Sequence, residues 1–142
     1  MKSSIVIGIV LLALTGTSHA ATKCSFNTTT GTLAFGNLDP GIGADVTVSS
    51  SISFRCVGSD PVVFSLTDDD GLYESGPNLN RMRNAAAATE FLPYNFFLTP
   101  VAGTVPKNTN TNITITGTVK GIDYQKAYVG SYGDTVTLTI AP

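Results

Sequence analysis

The chain has no tryptophan, and its single histidine, His19, falls within the first twenty residues. Without histidine in residues 21–142, a Ser-His-Asp relay and a histidine-ligated metal are both excluded there. Cysteine is equally scarce: Cys24 and Cys56 are the only two, far from the Cys-x-x-Cys spacing of a redox pair. Charged residues make up 13% of the chain and form no basic cluster, which argues against nucleic acid or an anionic membrane as partner. No glycine-rich segment ends in Gly-Lys-Ser/Thr, so a phosphate-cradling loop is excluded. Long apolar runs are missing too. The one from Ile5 to Leu14 is too short to span a bilayer.

That run fits an export leader. Lys2 supplies the positive n-region, the apolar run the h-region, and Ser18-His19-Ala20 a small-x-small cleavage site. Cleavage is expected after Ala20, which makes residues 1–20 a signal peptide and residues 21–142 one domain. The 122 residues that remain suffice for one hydrophobic core but not two. Losing Lys2 leaves seven basic side chains against ten acidic ones, a net charge of −3. In an exported chain the even cysteine pair is most simply a Cys24–Cys56 disulfide. Closing a loop of some 33 residues is worth roughly 3–4 kcal/mol in the chain-entropy model. Each cysteine shares the parity of its strand's apolar residues, Phe26 with Cys24, Ile52 and Phe54 with Cys56. The bridge is therefore expected on the core side.

What the domain has in abundance is period-two alternation, punctuated by turn residues. Cys24–Asn27 and Thr32–Phe35 read as two halves of an interrupted first strand, followed by a Gly/Pro loop to Gly43. Val46–Cys56 is a clean strand with Val48, Ile52, Phe54 and Cys56 inward, and Val62–Leu66 follows with Val62, Phe64 and Leu66 inward. Residues 73–89 show no regular pattern, and the run Ala85–Ala88 is too short to hold a helix. Phe91–Leu98 resumes alternation, with Pro93 pointing to an edge. A polar loop over residues 100–110 leads to Asn112–Val119; Gly121–Gly130 is ambiguous, and Thr135–Ile140 comes last.

Six strands at this spacing describe an all-β, immunoglobulin-like sandwich, which wants seven. The last strand has no successor to pair with. Its inward residues Val136, Leu138 and Ile140 are expected to lie along an open seam with Phe26, Leu33 and Phe35. Such an edge invites a strand from another chain.

Other chemistry is weaker. Asp68-Asp69-Asp70-Gly71 lacks the further spaced oxygen ligands and closing Glu of a calcium loop and reads as a solvated turn, so no metal and no cofactor is expected. Arg81 and Arg83 are expected to pair with that acidic turn. Ile42, Leu72, Tyr73 and Leu79 are candidate adhesive residues in loops.

Several segments together resemble the spore coat protein U domain family. They are Phe35-Gly-Asn-Leu-Asp-Pro40, Gly71-Leu-Tyr-Glu-Ser-Gly76, Arg81-Met-Arg-Asn84, Phe91-Leu-Pro-Tyr-Asn-Phe-Phe97 and Gly130-Ser-Tyr-Gly-Asp-Thr-Val-Thr-Leu-Thr-Ile140. With the two cysteines they span essentially the whole mature chain. That family includes subunits of archaic chaperone–usher pili. The resemblance implies an incomplete pilin sandwich lacking its final strand, held in the periplasm by a pilus chaperone. At the outer-membrane usher a neighbouring subunit would donate the missing strand, and the product would be a surface pilus or coat, not an enzyme. One departure stands out: only Ala21, Thr22 and Lys23 precede Cys24 after the expected cleavage, a reach of about 10 Å. That is too short for a donor segment, so the chain is expected to accept a strand without giving one, at a tip or terminal position. The alternative is a tip adhesin domain that binds a surface or glycan through its loops. A free-standing binding domain closed by its own Gly121–Gly130 segment is a third reading.

Overall fold

The computed structural model describes residues 21–28 and 30–142; the expected signal peptide lies outside the described residues. Four strands form the larger sheet. They are β1 (Lys23–Phe26), β2 (Val46–Val57), β6 (Asn95–Thr99) and β8 (Asn110–Val119), in the order β1-β2-β8-β6. The facing sheet has the order β10-β3-β7, from β3 (Val62–Asp68), β7 (Ala102–Val105) and β10 (Leu138–Ala141). A third sheet at one end runs β5-β4-β9, from β4 (Arg81–Asn84), β5 (Phe91–Pro93) and β9 (Tyr132–Gly133). All the pairings are antiparallel. One helical turn, α1 (Gly121–Tyr124), follows β8. Among the described residues no helix is long and apolar enough to cross a membrane.

The alternation does what the pleat requires. Ile52, Phe54 and Cys56 of β2, Val62, Phe64 and Leu66 of β3, and Ile113 and Ile115 of β8 fill one core between the two main sheets. Phe54 and Phe64 meet across it with ring centroids 4.7 Å apart. Cys24 and Cys56 are register partners in β1 and β2, and a disulfide joins them at a Cα–Cα distance of 4.1 Å. A second core, of Met82, Leu92, Tyr94, Val119 and Tyr124, lies under the third sheet. Tyr124 is latched there by its hydroxyl, which donates to the Ala44 carbonyl at 2.6 Å.

Ten strands stand where six were expected, and the differences have local causes. Phe91–Leu98 is not one strand: the Tyr94 N–H makes the last bond on the β4 side, to the Asn80 carbonyl at 3.1 Å, and from Asn95 the chain pairs with β8 as β6. The stretch read as irregular contains β4, and its inward positions are Met82 and Asn84, the latter only 1% exposed. A buried asparagine hid that alternation; its Oδ1 accepts from the Ala86 and Ala87 N–H groups. The expected polar loop contains β7, where Val105 alone is buried. The second half of the expected first strand belongs to no sheet, and the final strand is paired only from Leu138 onward.

Candidate functional site

Among the described residues β10 has one strand neighbour, β3, and β1 has one, β2. The two open edges come near each other without pairing. Between them runs a cleft of about 1160 Å³.

One wall is the chain leaving β1. Phe26, Leu33 and Phe35 are half-buried, with Leu33 and Phe35 packed beside Gly117 of β8. A Cβ at Gly117 would come within 2.8 Å of the Phe35 ring, so glycine is what lets that wall sit close to the sheet. Residues 30–38 belong to no strand, and among the described residues they make no backbone–backbone hydrogen bond. Unpaired backbone on this scale is tolerated only where water or a partner can reach it.

The opposite wall is the chain from Ser131 to Leu138, with Val136 and Leu138 facing in. The peptide groups of Val136 likewise have no backbone partner among the described residues. Ile52, Leu92, Tyr94, Phe96 and Ile115 make the floor. Of the six residues expected along the seam, five line this cleft. Ile140 instead packs, partly buried, on the main core. Tyr124 and residues 127–130 also line the cleft.

The wall from Asp134 to Thr137 is held from outside. Asp134 Oδ1 accepts from the Leu72 N–H at 3.0 Å, and its Oδ2 accepts from the Tyr94 hydroxyl at 2.7 Å. Burial, and then the hydrogen bond to Asp134 and its charge, push the Tyr94 phenol well above its usual value, so it stays a donor. Asp69 Oδ1 accepts from Thr137 N–H at 2.8 Å and from Gly71 N–H at 3.1 Å. Burial alone would raise the Asp69 carboxyl, but the hydrogen bonds from Thr137 and Gly71 outweigh it and hold it below the usual range. The acidic turn, expected as solvated surface, thus supports the final segment. The signal available was its position one strand away from the final segment.

The other predicted residues lie apart from the cleft. Ile42, Leu72 and Leu79 are exposed, at 71%, 66% and 56%, and Leu72 and Leu79 share one loop. Tyr73 is half-buried, its ring 6.3 Å from that of Phe91. Arg83 lies 4.4 Å over the Tyr73 ring and Arg81 lies 4.3 Å over Phe91. Arg81 also donates to the carbonyls of Tyr73 and Glu74. The arginines therefore do not pair with the acidic turn as expected. Stacking on Phe91 of β5 and on Tyr73 of the loop before β4 satisfies them instead. Among the described residues the salt bridge found is Lys120–Asp45 at 2.7 Å, which secures the start of α1.

Comparison with known proteins supplies the context. The family model of the Spore Coat Protein U domain matches residues 10–139. No curated protein matches the chain. Among solved structures, it is similar to one described as the CsuC–CsuE chaperone–tip adhesion subunit pre-assembly complex from archaic chaperone–usher Csu pili of Acinetobacter baumannii. The TM-score is 0.54 at 21% identity, over 84% of this chain and 39% of that one. A chaperone–tip adhesin complex of CFA/I fimbriae biogenesis gives a TM-score of 0.50 at 12% identity, over 85% and 41%. At these identities the likeness is one of fold, and the chain spans about two fifths of the length of the chains it matches.

Proposed function

The chain belongs to the Spore Coat Protein U domain family, and from that premise we propose that it is a non-enzymatic subunit of a surface pilus or coat that accepts a β-strand from another chain. The observation that carries the reading is the cleft of about 1160 Å³ between residues 30–38, which make no backbone–backbone hydrogen bond among the described residues, and a second wall where the N–H and C=O of Val136 make none. A strand laid there would hydrogen-bond to either wall and set alternate side chains against Phe26, Leu33, Val136 and Leu138. Burying each large apolar side chain fully is worth roughly 1.5–3 kcal/mol, before the backbone bonds are counted.

The first occupant in this reading is a strand of a periplasmic chaperone. At the outer-membrane usher it is replaced by the strand of a neighbouring subunit. The fold's likeness to solved chaperone–subunit complexes supports the chaperone as partner. Both of those complexes contain tip subunits, which favours a position at or near the tip of a fibre. The expected leader would deliver the chain to the periplasm, and assembly would carry it to the cell surface.

The test is to express the mature chain in a periplasm alone and with a chaperone encoded beside it. Alone it should be recovered in much lower yield and with the Val136 amide unprotected; together they should purify as one complex with that amide protected. A stable lone monomer already protected at Val136 would sink the proposal.

A second reading, adhesion at the tip, is favoured by the exposure of Leu72 and Leu79 in one loop. Leu72→Ser with Leu79→Ser should abolish attachment and leave assembly intact. Unchanged attachment removes that loop from consideration.

A further inference from the structure

The ladder between β3 and β10 stops at the pair Asp68–Leu138. Beyond it the two chains separate, because Asp68 to Gly71 turns away, with Asp68 Oδ1 accepting from the Asp70 N–H and Gly71 at φ +91°. Residues 134–137 thus have no strand on the cleft side and no ladder on the other, and other bonds take the ladder's place. Asp69 N–H donates to the Thr137 carbonyl at 3.2 Å, and Leu72 N–H donates to the Thr135 carbonyl at 3.0 Å. The carboxylates of Asp69 and Asp134 supply the remaining acceptors, for Thr137 N–H and Leu72 N–H respectively.

We propose that Asp69 and Asp134 are positioning residues for the open seam: the two carboxylates hold residues 134–137 in extended form beside an unfilled cleft, so that an incoming strand meets a formed edge. The purpose assigned to them rests on the strand-accepting reading above; the hydrogen bonds themselves do not. The backbone bonds of this clamp run to Asp69 and Leu72, and the N–H and C=O of Val136 have no backbone partner among the described residues. The clamp also reaches the cleft floor, through the Tyr94 hydroxyl on Asp134. Gly71 is part of the device, because a Cβ there would collide with Asp134 Oδ2. A formed edge matters for rate. An incoming strand that finds a frayed wall must order it first, and that entropy cost falls on association.

The experiment uses the mature chain, free or bound to the chaperone that purifies with it, and reads backbone amide exchange. In Asp69→Ala the Thr137 amide should exchange about tenfold faster, while that of Ile113 in β8 is unchanged. Asp69→Asn keeps an acceptor oxygen and should behave like the unaltered chain. Asp134→Ala should produce the same acceleration at Leu72. Tyr94→Phe, a milder variant that removes one donor to Asp134, should raise Leu72 exchange about threefold.

A second arm measures uptake of a synthetic nine-residue peptide alternating valine and threonine. Both alanine variants should associate about tenfold more slowly, with little change in dissociation. Unchanged Thr137 exchange in Asp69→Ala overturns the clamp, and so does faster exchange with unchanged association. If the unaltered chain takes up no peptide, the strand-accepting reading itself is overturned. The exchange arm needs no peptide, so the two failures are told apart.

Discussion

Strand β3 and the chain leading through β10 lie side by side and carry nearly the same inward pattern, Val62-Phe64-Leu66 in one and Val136-Leu138-Ile140 in the other. Their environments differ sharply. Phe64 and Leu66 are 2% and 7% exposed, whereas Val136, Leu138 and Ile140 are all half-buried. The residue types do not explain this, because both sets are fully apolar. The second neighbour does: β3 has strands on both sides, and β10 has one. A strand's inward face is sealed as much by the side chains of flanking strands as by the opposite sheet. The pattern thus specifies which way a side chain points, and topology decides whether it is covered.

The largest expected effects come from truncating equivalent leucines on the two strands. Leu66→Ala should cost about 2–5 kcal/mol of unfolding free energy in urea. Leu138→Ala should cost about 1–2 kcal/mol, because part of its surface is already wet. When the cleft is occupied by a bound strand, the two costs should converge. Equal costs before occupancy would break the comparison.

Replacing Cys24 and Cys56 together by Ala should lower stability by about 3 kcal/mol, read from the urea midpoint of non-reduced and reduced samples. Because the bridge ties the open strand β1 to the sealed strand β2, the loss should also accelerate exchange at Phe26 more than at Ile113. A smaller change is expected from Arg83→Ala, which removes an exposed cation over Tyr73 and should cost about 0.5–1 kcal/mol.

The smallest is an acid effect on the clamp. The carboxyl of Asp69 titrates below its ordinary value of 3.8, so its contribution is complete above that pH and is lost as pH falls below it. The stability difference between the unaltered chain and Asp69→Ala, measured by urea unfolding, should shrink as pH is lowered through this range. A difference that grows in acid would contradict the sign.

The long paired strands were legible from alternation alone, since β2, β3 and β8 carry mostly apolar positions on one face, interrupted at Ser50 and Gly117. The disulfide was legible from count and parity. What escaped had physical reasons. β4 places Asn84 at an inward position, and a buried amide satisfied by Ala86 and Ala87 N–H groups looks like a loop residue in a pattern scan. β7 is built from Ala102, Gly103 and Thr104, whose short side chains give no alternating signal. The break at Tyr94 depends on where its N–H goes, which side-chain periodicity does not encode. The segment around Leu33 and Phe35 shows the opposite failure. It has a strand's pattern but, among the described residues, no backbone partner. The stacking of Arg81 and Arg83 on aromatic rings was also hidden, because Tyr73 and Phe91 are brought to them by tertiary structure.

Tyr94 sits where the polypeptide passes from the small end sheet to the large one. Its amide is committed to Asn80, its ring to the second core and its hydroxyl to Asp134. Loosening any one of these three elements therefore strains the other two, which makes them one cooperative unit rather than three independently opening parts. Hydrogen exchange across Asn80, Tyr94 and Leu72 should accordingly respond together to denaturant, with a common slope.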